Sequence, residues 1–87
     1  MEQLELIKKI ALASETDAHL RQDLIFLLGD YYLVYPTESL EIWQAVYDDS
    51  TLDSISRAFC ADNLNHLASK KLSVPVVSAT DWDNYYN

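Results

Sequence analysis

Hydrophobic residues recur at spacings of three and four along most of this chain, which is the period of one face of an α-helix. The first such stripe contains Leu4, Ile7 and Ala11 and predicts a helix over residues 2–13. The whole chain has one Gly and two Pro, too few for the turns of a β-sandwich or barrel. The pattern therefore predicts an all-α protein.

A second helix is predicted to begin within residues 14–17, a run of the polar residues that cap helix N-termini. Its apolar positions include Leu20, Leu24 and Tyr31, which we expect to face inward. The stripe continues past Gly29 at the same period. We therefore expect the helix to run through this glycine to about residue 34, at a cost of roughly 1 kcal/mol.

Two further helices are predicted in the rest of the chain. Pro36 should end the second helix, and Thr37 is the expected N-cap of a third helix over residues 38–47. Residues 50–53 resemble a capping box and open a fourth helix, which Lys70 and Lys71 are expected to close. The sequence thus predicts a small four-helix antiparallel bundle over residues 1–72 and an extended acidic and aromatic C-terminal tail over residues 73–87.

The charge of the chain limits the class of its partners. Fourteen acids against six bases give a formal charge of −8, which disfavours direct contact with nucleic acid and with anionic membranes. Cys60 is the only cysteine, so no intrachain disulfide can form. The chain opens with Met1 and Glu2, an acid where a signal peptide needs positive charge. We expect a cytoplasmic protein with basic proteins as partners, and the sequence leaves its oligomeric state open.

The sequence offers little for catalysis. Cys60 and His66 are the nearest pair of nucleophile and base, but six residues along a helix is a rotation of about 600°, which points the side chains apart. Asp62 and His66 share a face, yet one His and one Asp do not hold a metal ion. With a single Gly, a phosphate-binding loop is also excluded. We expect no enzyme activity, no cofactor and no metal.

The most informative segment lies between Gln22 and Ser56. It carries seven carboxylates, five large aromatic residues, and no Lys or Arg. Exposed Tyr and Trp bring large contact area at low entropic cost and are enriched at binding hot spots. The aromatic C-terminal segment has the same character. The predicted partner-binding residues are Asp30, Tyr32, Tyr35, Glu38, Glu41, Tyr47, Asp48, Asp49, Trp82 and Tyr85.

The pairs Tyr31-Tyr32 and Tyr35-Pro36, separated by Leu33-Val34, loosely resemble the Tyr-Tyr-Pro corner of the small acidic helical immunity proteins of DNase bacteriocins. Length and charge are similar as well. The acidic charge and the surplus of aromatic residues themselves predict a non-catalytic inhibitor of a basic partner, such as a nuclease toxin or a nucleic-acid-binding enzyme, of the immunity-protein or phage-antagonist type. The interrupted motif leaves the fold and the partner open.

A second hypothesis is a helical adaptor or regulatory subunit of a larger assembly. In this interpretation the acidic face is merely solvated, and the C-terminal tail docks onto a neighbouring subunit. Val74, Val76 and Val77 could then add a strand to that neighbour.

Overall fold

The computed structural model describes residues 2–86, and within them the protein is a compact assembly of five helices without a β-strand. The all-α class is therefore confirmed. The prediction of four helices followed by an extended tail was wrong, because the C-terminal segment ends in a fifth helix. The helices are α1 (Glu2–Leu12), α2 (Ala18–Tyr32), α3 (Pro36–Asp48), α4 (Ser54–Leu67) and α5 (Ala79–Tyr86).

The first two helices begin and end close to where the sequence predicts. Asp17 is the N-cap of α2, and its Oδ1 atom accepts hydrogen bonds from the backbone N–H groups of His19 at 2.7 Å and Leu20 at 3.3 Å. The helix passes through Gly29 and ends at Tyr32, two residues before the predicted end. Local capping chemistry therefore accounts for the start of α2.

The third helix starts earlier than predicted. Pro36 is its first residue and Tyr35 occupies the N-cap position, so Thr37 lies inside the helix. Proline suits this first position because its missing N–H would have no partner inside the helix and its φ is already helical. The same residue that stops α2 thus starts α3, which leaves a short and sharp corner between them.

The fourth helix is shorter than predicted at both ends. Asp53 is its N-cap and accepts a hydrogen bond from the Ser56 backbone N–H at 2.8 Å. The helix ends at Leu67, because Ser69 adopts a left-handed conformation with φ of 52°. Lys70 and Lys71 therefore lie beyond the helix rather than in its last turn.

Trp43 stands at the centre of the core, with 1% of its surface exposed. Its indole Nε1 donates a hydrogen bond to the Ile25 carbonyl oxygen at 3.2 Å, which satisfies the one polar atom of the ring. Helix α3 packs against α1, α2 and α4 around this residue. The predicted stripe of α1 is also confirmed, since it is buried in the same core. The core side chains are Leu4, Ile7, Ala11, Ile25, Leu28, Ile42, Trp43, Val46, Leu52, Cys60 and Leu64.

The predicted inward face of α2 is correct for Leu24 and Tyr31, which pack against the core, but wrong for the first turn. Leu20 is exposed, whereas Arg21 and Gln22 are buried. Arg21 donates from Nε to the carbonyl oxygen of Ala11 and from Nη2 to that of Ala13, both at 2.7 Å. These carbonyls lie at the C-terminal end of α1, where the helix leaves acceptors without partners. Satisfying them rotates Arg21 inward and Leu20 outward.

Arg21 also forms an ion pair with Asp53, with 2.5 Å between Nη1 and Oδ1. Asp53 in turn caps α4 through its other carboxylate oxygen. One guanidinium therefore ties together the end of α1, the first turn of α2 and the start of α4. We call Arg21 and its three partners, Asp53 and the carbonyl groups of Ala11 and Ala13, the Arg21 junction.

The C-terminal segment folds back onto the bundle. Asn65 binds Leu72 through two hydrogen bonds, from Nδ2 to the Leu72 carbonyl at 3.1 Å and from the Leu72 N–H to Oδ1 at 2.9 Å. Residues 69–78 form no helix, and α5 then packs against α4. Ser78 and Asp81 form a reciprocal capping box at the start of α5, with backbone to side-chain distances of 3.0 and 3.1 Å.

Candidate partner-binding surface

The corner between α2 and α3 brings together aromatic rings and carboxylates that are partly open to solvent. Tyr31 and Tyr35 line a shallow cleft against Glu2 and Gln3 at the start of α1. The Tyr31 hydroxyl donates to Gln3 Oε1 at 3.1 Å, which fixes this ring against α1. On their other side the same two rings line a second cleft with Asp30. The two tyrosines thus form a ridge between two depressions.

Carboxylates surround this ridge. A third cleft contains Glu5 of α1 together with Glu38 and Glu41 of α3, and Leu4 is common to it and to the first cleft. Among the residues that the structure describes, Lys8 is the one cation in its lining. Five acids therefore line the three clefts, two of which the tyrosine rings also line, and Glu38 lies in the first turn of α3, at the positive end of that helix. We call this surface the acidic corner, defined as Glu2, Glu5, Asp30, Tyr31, Val34, Tyr35, Glu38 and Glu41.

Four of the ten predicted residues fall in the acidic corner: Asp30, Tyr35, Glu38 and Glu41. Tyr32, one residue from the ridge, does not. Its ring stacks on Trp43 with 5.9 Å between centroids and packs against the core. The helical rotation of 100° per residue separates the two neighbouring tyrosines onto different faces.

Tyr47, Asp48 and Asp49 lie at the opposite end of α3 from Glu38. The Tyr47 hydroxyl donates to the Ser73 carbonyl at 2.9 Å, and the Arg57 guanidinium lies 5.7 Å from the ring centroid. This tyrosine therefore holds the returning C-terminal segment, and a cation stands next to it. At about 1.5 Å of rise per residue, roughly 15 Å separates this group from the acidic corner.

Asp48 and Asp49 have local partners. Asp48 accepts a hydrogen bond from Gln44 Nε2 at 3.0 Å. Asp49 accepts from the Thr51 hydroxyl at 2.6 Å and from the Thr51 N–H at 3.0 Å, and these bonds lower the pKa of Asp49. An Asx turn of this kind shapes the loop that leads to α4.

Trp82 and Tyr85 belong to α5 and lie near the start of α2. The Tyr85 ring stacks on His19 at 3.9 Å between centroids, and His19 Nε2 donates to the Tyr85 carbonyl oxygen. Burial and the nearby Asp23 carboxylate raise the pKa of Tyr85. Trp82 stacks on Tyr86 at 6.0 Å and is about one-third exposed. These rings form a second aromatic group, separate from the acidic corner.

Sequence reasoning missed half of the acidic corner. Glu2 and Glu5 were not among the predicted residues, and Tyr31 was expected to face inward, whereas it is partly exposed. Val34, exposed by 69%, was treated as the end of the helix. Glu2 and Glu5 could have been assigned to this surface only if the packing of α1 against α2 and α3 had been known.

The residues considered for catalysis are far from forming a site. Cys60 is fully buried, and this burial raises the pKa of its thiol. His66 is exposed, and its Nδ1 donates to the Asp62 backbone oxygen at 2.9 Å. Between residues 2 and 86 there is no group of three His, Cys, Asp or Glu side chains arranged to hold a metal ion.

None of the helices in the described range 2–86 is both long enough and apolar enough to cross a bilayer. Comparison with known protein families, with curated proteins and with solved structures found no match to this chain. The loose resemblance to immunity proteins thus has no support from these comparisons, and the function has to be argued from the surface itself.

Proposed function

We propose that this chain is a non-catalytic acidic module that binds and neutralises a basic partner protein, such as a nuclease toxin or a nucleic-acid-binding enzyme. The acidic corner is the single observation that carries the proposal. Two partly exposed tyrosines line two of its three clefts, five carboxylates line the three together, and within residues 2–86 Lys8 is the one basic side chain in their lining. Such a surface offers two properties that favour a tight complex, namely complementary charge and aromatic contact area.

The two kinds of residue have different roles in this proposal. The carboxylates and the net charge of −8 attract a positively charged surface and raise the rate of association. The tyrosines lose water on contact and slow dissociation, as rigid rings do at hot spots. Because a nuclease must itself present positive charge to hold nucleic acid, its groove is a natural target for such a surface.

The test begins with capture of the partner from the native host at low and at moderate salt, followed by mass-spectrometric identification. We expect affinity to fall steeply with salt, because the contact depends on screened charges. Tyr35→Ala should cost at least about 2 kcal/mol of binding free energy, as the loss of an anchor does. Binding that is independent of salt and survives this substitution would refute the proposal.

A matched pair of charge reversals separates local from global electrostatics. Glu41→Lys and Glu15→Lys change the net charge equally, but Glu15 lies in the exposed connection between α1 and α2. We expect Glu41→Lys to slow association much more than Glu15→Lys. Equal effects would mean that net charge alone attracts the partner and that the acidic corner has no special role.

The adaptor alternative assigns binding to the C-terminal segment. Val76 and Tyr86 remain 88% and 73% exposed although the segment packs on the bundle. The substitutions Val76→Lys and Tyr86→Ala therefore test it without removing the contacts of Leu72 or Asp81. If these variants lose the partner while Glu41→Lys and Tyr35→Ala retain it, the adaptor hypothesis replaces the inhibitor.

A further inference from the structure

The tyrosine ridge of the acidic corner separates two clefts that are built from the same kinds of side chain. The first cleft, against α1, has a volume of about 440 Å³, and the second, on the other side of the ridge, has a volume of about 240 Å³. Each is wide enough to admit a long side chain of a partner. The lining residues are Glu2, Gln3, Leu4, Tyr31 and Tyr35 in the first cleft and Asp30, Tyr31, Val34 and Tyr35 in the second.

Each cleft offers three kinds of surface. Both contain an apolar side chain, which is Leu4 in the first cleft and Val34 in the second. Both contain a carboxylate, which is Glu2 in the first cleft and Asp30 in the second. The two tyrosines contribute aromatic surface to each. These surfaces match the parts of an arginine side chain, whose methylene stem packs on apolar groups while its planar guanidinium stacks on rings and binds carboxylates.

The ridge is held in place before any partner binds. The Tyr31 hydroxyl donates a hydrogen bond to Gln3 Oε1 at 3.1 Å, which fixes the ring between α1 and α2. Tyr35 precedes Pro36, which restricts its backbone, and both tyrosines pack against the core while they remain partly exposed. A ring that is already ordered loses little entropy on binding, so its contacts contribute more fully to affinity.

The electrostatics of these two clefts favour a cation. Within residues 2–86 neither cleft has a Lys, Arg or His in its lining, whereas the third cleft contains Lys8. Glu2 and Glu5 lie in the first turn of α1 and offset the positive end of that helix next to the first cleft. The face of an aromatic ring also attracts a cation, because of the ring quadrupole. The preference for a cation is therefore a local property of the clefts as well as a consequence of net charge.

We propose that the two clefts are arginine sites, and that the basic partner inserts one arginine side chain on each side of the tyrosine ridge. The inference rests on the proposed function, because it names the side chains of the basic partner that the acidic corner binds. In the first cleft the guanidinium pairs with Glu2 and its stem lies against Leu4. In the second cleft it pairs with Asp30 and its stem lies against Val34.

Lysine fits this arrangement less well than arginine. Its ammonium group is a compact and strongly hydrated charge that does not stack on a ring. It also lacks the two parallel N–H groups with which a guanidinium binds both oxygens of a carboxylate. The clefts should therefore discriminate between two side chains of the same charge, which net charge alone does not do.

The first experiment titrates the full-length protein with N-acetyl-arginine amide and follows the binding by nuclear magnetic resonance. The Gln3 side-chain amide reports on the first cleft and the Val34 methyl groups report on the second. N-acetyl-citrulline amide has a similar shape without the charge, and N-acetyl-lysine amide has the charge without the planar group. We expect the arginine compound to bind at least about tenfold more tightly than the citrulline compound and about threefold more tightly than the lysine compound. Equal binding of either control compound would overturn the proposal.

Substitutions of Tyr35 separate the aromatic face from apolar area. Tyr35→Phe keeps the ring and should retain affinity for the arginine compound within about twofold. Tyr35→Leu removes the ring but keeps an apolar side chain, and it should weaken binding at both reporters at least about fivefold. Tyr86→Leu is the matched control, since Tyr86 is 73% exposed on α5, and it should leave binding unchanged. If Tyr35→Leu binds as tightly as Tyr35→Phe, the rings do not recognise the cation and the proposal fails.

Carboxylate substitutions test the clefts one at a time without touching the core. Asp30 and Glu2 are exposed, so Asp30→Asn should weaken binding at the Val34 reporter and Glu2→Gln at the Gln3 reporter. Asp23→Asn is the matched control, because Asp23 is exposed on α2 two turns before Asp30. That separation is about 10 Å, beyond the Debye length of about 8 Å at physiological ionic strength. Equal losses in all three variants would assign binding to net charge and overturn the proposal.

The natural partner separates this inference from the proposed function. Suppose that its affinity falls steeply with salt and is lost with Glu41→Lys and Tyr35→Ala, yet Tyr35→Leu binds it as tightly as Tyr35→Phe. This inference then fails while the proposed function stands. Binding that is independent of salt and survives Tyr35→Ala removes both.

Discussion

The two ends of α2 are built in opposite ways. At its N-terminal end Asp17 caps the helix, Arg21 binds two carbonyls and a carboxylate, and the Tyr85 ring covers His19. At its C-terminal end Leu33 and Val34 are largely exposed. The first end is closed by three other elements, whereas the second faces solvent. The closed end stabilises the fold, and the open end is where we expect binding.

Replacement of Arg21 should have the largest effect on the closed end. Arg21→Met leaves Asp53 without its cation and two buried carbonyls without a donor, so the free energy of unfolding should fall by about 3–5 kcal/mol. Urea denaturation followed by circular dichroism measures this loss. The control is Arg57→Met, which removes one hydrogen bond and a cation–π contact and should cost about 1 kcal/mol. Equal losses would show that the junction is not special.

The next substitution should raise the free energy of unfolding instead of lowering it. Gln22 is buried next to Arg21, and neither Nε2 nor Oε1 of its amide has a hydrogen-bond partner. Gln22→Met should therefore raise the free energy of unfolding by about 1–3 kcal/mol. Gln44→Met is the comparison and should gain less, because Gln44 Oε1 also lacks a partner within the described residues but Nε2 donates to Asp48 and loses that bond. A destabilised Gln22→Met protein would mean that the amide is satisfied in solution.

A smaller gain is expected at the open end. Gly29→Ala places a methyl group in free space and removes the cost of an internal glycine, so the free energy of unfolding should rise by about 1 kcal/mol. The measurement is again urea denaturation at constant salt. A loss of stability would show that the backbone at this position needs the conformational freedom of glycine.

The smallest effect concerns the α5 helix, which covers the closed end. Hydrogen bonds from the Ser78 backbone, the Ser54 hydroxyl and the Ser78 hydroxyl lower the pKa of Asp81. A lowered pKa means that the stabilisation is present above the ordinary value of 3.8 and is lost as the pH falls through the lower folded value. Trp82 fluorescence should report loosening of α5 in that acid range. Asp81→Asn should abolish this pH dependence, and an unchanged acid transition in that variant would assign it to other groups.

The predictions from sequence succeeded where a local signal was strong. The period of Leu4, Ile7 and Ala11 defined the buried face of α1, since only one side of that helix is apolar. Asp17 lies within the predicted capping run and caps its helix directly. In α2 the same reasoning placed Leu20 inward, because apolar residues surround almost the whole helix and the period no longer selects a face.

Only the start of the fifth helix has a local signal in the sequence. Ser78 and Asp81 have the spacing of a capping box, but the segment lacks an apolar stripe and was therefore assigned to an extended tail. A short helix without a buried face depends on what it packs against, here α4 and the His19 ring. Such contacts cannot be derived from spacing along the chain.

The amino-acid sequence by itself determined that this chain forms helices, where most of them begin, and that its formal charge is −8. These properties depend on neighbouring residues and on composition. Only the tertiary structure decided which of the rings are exposed, which acids meet at one corner, and that the start of α1 contributes to it. The physical reason is that these groups are distant in sequence and are brought together by the packing of α1 against α2 and α3.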